Sequence, residues 1–161
     1  MPLIKDGELI DDPWLRVADD QDLPDGPVIV SLERWQAAGD DVAAHNGPLG
    51  VVLASDQSPD LIGDDLGRFD LVALDFPAFT DGRAYSYARL LRERLGFKGE
   101  VRAVGNVLRD QVAFMVRCGF DAFDMADVNA AEAFRQALAE VSVTYQPAGD
   151  ARRPAMALRQ S

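Results

Sequence analysis

The chain has 161 residues, 48% of them hydrophobic and 27% charged, with a formal net charge of −11. That usage excludes disorder throughout and is enough for the core of one domain, while the acidity disfavours nucleic acid, whose phosphates need bases to neutralise them. Apolar runs are only a few residues long and no basic-then-apolar leader opens the chain, so no membrane span and no secretory signal is expected.

The charge is uneven. Residues 1–25 carry Asp6, Glu8, Asp11, Asp12, Asp19, Asp20, Asp22 and Asp25 against Lys5 and Arg16. Residues 83–117 carry Arg83, Arg89, Arg92, Arg94, Lys98, Arg102, Arg109 and Arg117 against Glu93, Glu100 and Asp110. A local basic excess on an acidic protein can attract an anion or an acidic partner surface; the plainer alternative is arginines solvating helix faces.

In chain order, Asp6-Gly7 between Leu3-Ile4 and Leu9-Ile10 predicts a small N-terminal β-hairpin. Residues 14–17 read as a short extended piece and 27–30 as the first core strand. Ser31 is placed to cap a short helix ending near Gly39, and 40–48 read as loop, with the single histidine, His45. The continuous apolar run 49–54 predicts a strand buried on both faces, and Ser58-Pro59 a helix start. A strand at 71–74 is followed by Asp75-Phe76-Pro77. Thr80 or Asp81 can then cap a helix over 82–95, whose Ala84, Ala88, Leu91 and Leu95 define one core face, with Gly96 closing it.

A strand at 100–104, a helix at 107–118 closed by Gly119, a strand at 120–123 and an amphipathic helix at 129–140 follow, and 141–145 can form a last strand. Residues 147–161 are basic and weakly patterned. The expected organisation is therefore one α/β domain over 1–146, with 1–26 as hairpin and extended segment, then a mobile tail. Strands alternating with helices imply a mostly parallel sheet. Length rules out the closed eight-unit barrel, which takes about 250 residues. An open sheet or a half-barrel-like layer with flanking helices is expected.

Ligands of such sheets bind outside the carboxyl ends of the strands. Those ends hold Ser55-Asp56, the stretch from Asp75 to Arg83, Gly105-Asn106 with Arg109, and Asp124. Asp81 and Arg83 stand at a helix start, where free N–H groups and a guanidinium suit an oxyanion; the alternative is that Asp81 only caps the helix. Arg102 lies mid-strand between Val101 and Ala103, where a buried strand should be apolar. Either its strand is at an edge, or it pairs with a carboxylate such as Asp75 or Asp81, since a buried unpaired guanidinium is prohibitive. Cys118, the single cysteine, ends a helix rather than starting one and reads as a core residue rather than a redox thiol. It also excludes an intrachain disulfide, in keeping with a cytoplasmic location. One cysteine with one histidine makes neither a structural zinc site nor an iron–sulfur site. No dinucleotide fingerprint, P-loop or nucleophile elbow is present. No cofactor motif is visible, although a noncovalent flavin needs none that is strict.

The run FPAFTDGRAYSYARLLRERLGFKGEVRAVGNVLRDQVAFMVRCGFDAF, residues 76–123, resembles a bacterial family, domain of unknown function 934, described as an oxidoreductase of sulfite reduction; 51–53 and 143–146 match more loosely. Genes of that family lie beside that of the assimilatory sulfite reductase. The resemblance implies a pathway, sulfur assimilation and cysteine biosynthesis, and names no catalytic residue. Polar positions inside the matching run are Asp81, Arg83, Arg89, Arg102, Asn106, Arg109 and Asp110, the candidates for binding an anion or a partner. The expected function is an accessory protein that docks on sulfite reductase or its electron donor. The alternative is an enzyme holding sulfite or a sulfur-bearing metabolite at the carboxyl edge of the sheet.

Overall fold

A computed structural model describes residues 2–77, 82–107, 109–125 and 128–144. Strands β1 (Pro2–Lys5) and β2 (Glu8–Asp11) form the N-terminal hairpin. Asp6 and Gly7 both take positive φ, 51° and 85°, which a two-residue turn matched to strand twist demands. Then come β3 (Leu15–Arg16), β4 (Val28–Ser31), α1 (Leu32–Ala43), β5 (Leu49–Leu53), a 3-10 helix (Pro59–Arg68) and β6 (Leu71–Phe76). Helix α2 (Arg83–Arg89) runs into a π-helical turn (Leu90–Arg94), and β7 (Glu100–Gly105), a 3-10 turn (Arg109–Gln111), α3 (Val112–Cys118), β8 (Ala122–Asp124) and α4 (Val128–Thr144) complete the order.

All eight strands share one sheet, in the order β2-β1-β8-β7-β6-β5-β4-β3. From β3 to β8 neighbours are consecutive and parallel, and β1 lies antiparallel on β8. The two edge strands, β2 and β3, are joined by Asp12–Trp14 alone. From Asp11 to Leu15 the chain can reach at most about 15 Å, whereas eight strands laid flat would place the edges about 34 Å apart. The sheet must therefore curl on itself, and the result is a half-barrel.

Pleating sends alternate residues to opposite faces. Val28, Val30, Leu49, Val51, Leu53, Val72, Leu74, Phe76, Val101, Ala103 and Phe123 join the main core under the helices. Ile29, Val52, Leu71, Ala73 and Val104 form a second, smaller cluster on the concave face, against which Trp14 packs. The same parity places Glu100, Arg102 and Asp124 on that face. Arg102 lies in register between Ala73 and Ala122, and these small neighbours leave room for its side chain.

Strand β7 is interior and Arg102 is 1% exposed, so the edge-strand explanation of this residue is overturned. Its partners are also other than those expected. Nη1 and Nη2 donate to the Asp12 carboxylate at 2.7 and 3.2 Å, and Nε donates to Glu100 at 2.8 Å; neither is Asp75 or Asp81. Glu100 also receives Lys5 Nζ at 3.1 Å. Burial alone would lower the Arg102 pKa, but Glu100 and Asp12 outweigh it and hold it above the ordinary value.

Other differences are local. Ser31 does cap α1, accepting from Arg34 N at 3.1 Å, but the helix bends at Ala38 and continues past Gly39 to Ala43. Val42 in that extra turn is buried, and the added core contact overrides the glycine stop. The helix expected from 107 to 118 is a 3-10 turn followed by the shorter α3. The last strand, expected at 141–145, is instead the end of α4 as far as Thr144. Gly96 and Gly119 take the expected left-handed closures, φ 69° and 114°. Among the described residues no helix is long and apolar enough to cross a membrane; the tail at 147–161 and the capping Thr80 and Asp81 lie outside them.

Truncating Arg102 to Met leaves Asp12 without its buried cation, and removing one partner of such a pair costs about 3–5 kcal/mol. Denaturant unfolding of Arg102→Met should show a loss of that size, and a loss under 1 kcal/mol would mean the cluster does not hold the concave face. A second titrating tie lies at the start of β7. Asp121 accepts Val101 N at 2.7 Å and faces Arg92 Nη2 at 3.5 Å. Burial nevertheless pushes its carboxyl up to about 6 from 3.8. The folded chain then takes up this proton before the unfolded chain does, so its contribution is fully present below 3.8 and is lost as pH rises through 6. Between pH 4 and 7 the wild type should lose stability relative to Asp121→Asn; parallel melting curves for the two across that window would refute this.

Candidate functional site

The carboxyl ends of β5, β6 and β7 form a polar rim. Arg83, in the first turn of α2, donates from Nη2 to Ser55 Oγ at 3.1 Å, while Tyr87 Oη, one turn on, donates to Ser55 O at 2.9 Å. Asn106 Nδ2 donates to Pro77 O at 2.7 Å, and its backbone N–H to Phe76 O at 2.8 Å. Gly105 is required here. Its φ is +88°, and a Cβ would stand 2.5 Å from Asp75 Oδ1 and 2.6 Å from Phe76 O. The rim thus brings Arg83 and Asn106 to the same end of the sheet, but each is engaged in tying a strand end to the next element.

The other candidates are scattered. Arg109 opens the 3-10 turn and Asp110 follows it, exposed. Asp81 lies outside the described residues. Arg102 is buried on the concave face, away from the helices. Arg89 stands on the outer surface of α2, 3.8 Å from Glu93. Cys118 is buried, and burial raises its pKa even though Arg89 and Arg117 pull it down. Such a thiol is a poor nucleophile.

Helices α2 and α3 pack side by side, with Tyr85 and Phe114 rings 4.7 Å apart. Phe114 remains 38% exposed, and Arg89 on α2 and Arg117 on α3 are exposed as well, both near enough to Cys118 to act on its charge. Arg92, although in the same basic stretch, turns inward. It donates to the carbonyls of Gly119, Phe97 and Gly99 at 3.1, 3.0 and 2.8 Å, locking the π-helical turn to the chain entering β7 and to the end of α3. The basic stretch therefore divides into structural arginines, Arg92 and Arg102, and surface ones, Arg83, Arg89, Arg94 and Arg117.

The feature that the sequence did not reveal is on the concave face. A cavity of about 40 Å³ is lined by Asp12, Trp14, Arg16, Arg102 and Asp124 over an apolar floor of Ile29, Val52, Ala73 and Val104. Asp124 Oδ1 is buried with no hydrogen-bond partner among the described residues. Burial raises the Asp124 pKa, against the pull of Arg102 and Arg16. Asp12, Trp14 and Arg16 come from the acidic N-terminal stretch that reads as hairpin and extended segment; the available signal was Arg102, whose burial demanded carboxylates from somewhere. Among the described residues no group of three or more His, Cys, Asp or Glu is placed to hold a metal ion.

No curated protein shows a match to the chain. A family model described as "Bacterial protein of unknown function (DUF934)" matches residues 50–156. The match begins within β5 and takes in the rim, the α2–α3 face and most of the concave strands, well over half of the 161 residues. The chain therefore belongs to this bacterial family, DUF934.

Proposed function

We propose that the protein is an accessory component of sulfite reduction that docks on the reductase or its electron donor through the α2–α3 face. The observation that carries this reading is the exposed Phe114 on a pair of packed helices that also carry the exposed Arg89 and Arg117, on a chain of net charge −11. Aromatic side chains and arginines are enriched in protein-binding patches, and a local positive field steers an acidic partner toward one. The assignment to sulfite reduction rests on the sequence resemblance of residues 76–123.

The rim argues less well for an enzyme acting on a free oxyanion. Arg83 and Asn106 already donate to Ser55 and Pro77, so an anion there would compete with bonds that hold strand ends together. Docking needs no such exchange.

The test is an affinity pull-down of the tagged chain from its host grown on sulfate, with an absorbance spectrum of the purified bait. Sulfite reductase or its electron donor should be recovered with the wild type, and recovery should fall at least ten-fold with Arg89→Glu/Arg117→Glu. Raising the salt should weaken recovery in parallel. Undiminished capture by the charge-reversed protein would move the interface elsewhere. A bait that brings down neither protein, or that carries a bound flavin, would sink the accessory reading.

A further inference from the structure

The concave cavity has a composition that structural packing alone does not require. Arg102 commits its Nε to Glu100 and one N–H from each terminal nitrogen to Asp12, which leaves the second N–H of each free to donate. Arg16, exposed on edge strand β3, lines the same space. Opposite them stands Asp124, with one oxygen buried and without a partner among the described residues. Trp14 forms one wall, and Ile29, Val52, Ala73 and Val104 make an apolar floor. An uncompensated buried carboxyl oxygen is destabilising, and a partner from outside the chain would remove that cost. A cavity of about 40 Å³ has room for about three water-sized groups.

We propose that this cavity is a binding site for a small oxyacid monoanion, of the size of formate, acetate or hydrogen sulfite, held between the guanidinium groups of Arg16 and Arg102 and the carboxyl of Asp124. Two ligand oxygens accept from the arginines. A single proton lies between the ligand and Asp124 Oδ1, held by the carboxyl and donated to one of the two oxygens of formate or acetate, or carried by the hydroxyl of hydrogen sulfite, so no two negative oxygens face one another. Trp14 closes the site from the side of the N-terminal segment, and the apolar floor limits the ligand to three or four heavy atoms. The site opens on the concave face, across the sheet from α2–α3, and so is independent of the docking surface and of what docks there.

Differential scanning fluorimetry of the full chain, at constant ionic strength with chloride as control, tests the proposal with formate, acetate and hydrogen sulfite as probes. At least one should raise Tm with the logarithm of its concentration above Kd, by about 3 °C at ten times its Kd. Arg16→Gln, at an exposed position, should weaken that probe at least ten-fold. Ala73→Leu, which fills the floor beside Arg102, should abolish the effect. A Trp14 indole resonance that moves along the same titration curve locates the binding. No rise beyond the chloride control with any probe would overturn the site. A rise that survives both Arg16→Gln and Ala73→Leu would also overturn it, because the anion would then be bound elsewhere. Should Ala73→Leu fail to fold, Arg16→Gln and the Trp14 resonance still decide the question.

Discussion

The three-residue link between the two edges of the sheet is the constraint on which the rest depends. Asp12 to Trp14 connect β2 to β3, first and last in an eight-stranded order, so the strands between them must curve around a common interior. What fixes the link there is one buried guanidinium. Arg102 reaches from the middle of β7 to Asp12, ninety residues earlier, and its other bond to Glu100 extends through Lys5 to the hairpin. Replacing such a cluster by apolar residues is often neutral for stability, but breaking it from one side is not. Its larger effect is on specificity. A one-residue slip of β7 would turn Arg102 into the apolar layer beneath the helices and bring Val101 or Ala103 against Asp12, and both outcomes are heavily penalised.

The sheet thereby separates two environments that a flat sheet with helices on both faces would not. Under the helices, the core is continuous and apolar from Val28 to Phe134, with aromatic contacts such as Phe76–Tyr85 and Phe123–Phe134 at 5.2 and 4.7 Å. On the concave face the apolar floor is thin, and charged residues from β7, β8 and the N-terminal link stand above it. Sequential strand order is the cause. When every crossover returns on the same side, the helices share one face and the other must be covered by something else, here by Trp14 and its neighbours.

Much of this was legible because the signals are local. Asp6-Gly7 specifies its hairpin by backbone conformation, Ser31 caps a helix three residues away, and Gly96 and Gly119 supply left-handed closures that other residues avoid. The apolar runs at 49–54 and 71–74 were recognisable as interior strands for the same reason. The misreadings were non-local. Gly39 and the β-branched 141–144 look like a helix stop and a strand, but α1 gains the buried Val42 and α4 packs on α3, β1 and β2, and such tertiary contacts outweigh propensities of under 1 kcal/mol. Arg102 was recognisable as an anomaly in its strand, but its partner was not, because no pattern within a strand shows which distant carboxylate the curl will bring to it. The candidate site suffered likewise. Residues near strand ends were found, whereas Asp12, Trp14 and Arg16 became neighbours of Asp124 only through the closure of the sheet.

The same closure decides how the charge acts at a distance. The acidic link lines the concave face, whereas Arg89 and Arg117 stand on the outer side of a helical layer about 10 Å thick. At physiological ionic strength the Debye length is about 8 Å, so carboxylates behind that layer screen the arginines far less than an average over the net charge of −11 implies. A partner approaching α2–α3 meets a positive patch around Phe114, and a small anion approaching the concave face meets Arg16 first. A uniformly acidic surface would repel an acidic partner; the curled sheet, by keeping Asp12, Glu100 and Asp124 on its concave side, leaves the arginines of the α2–α3 face separate from them.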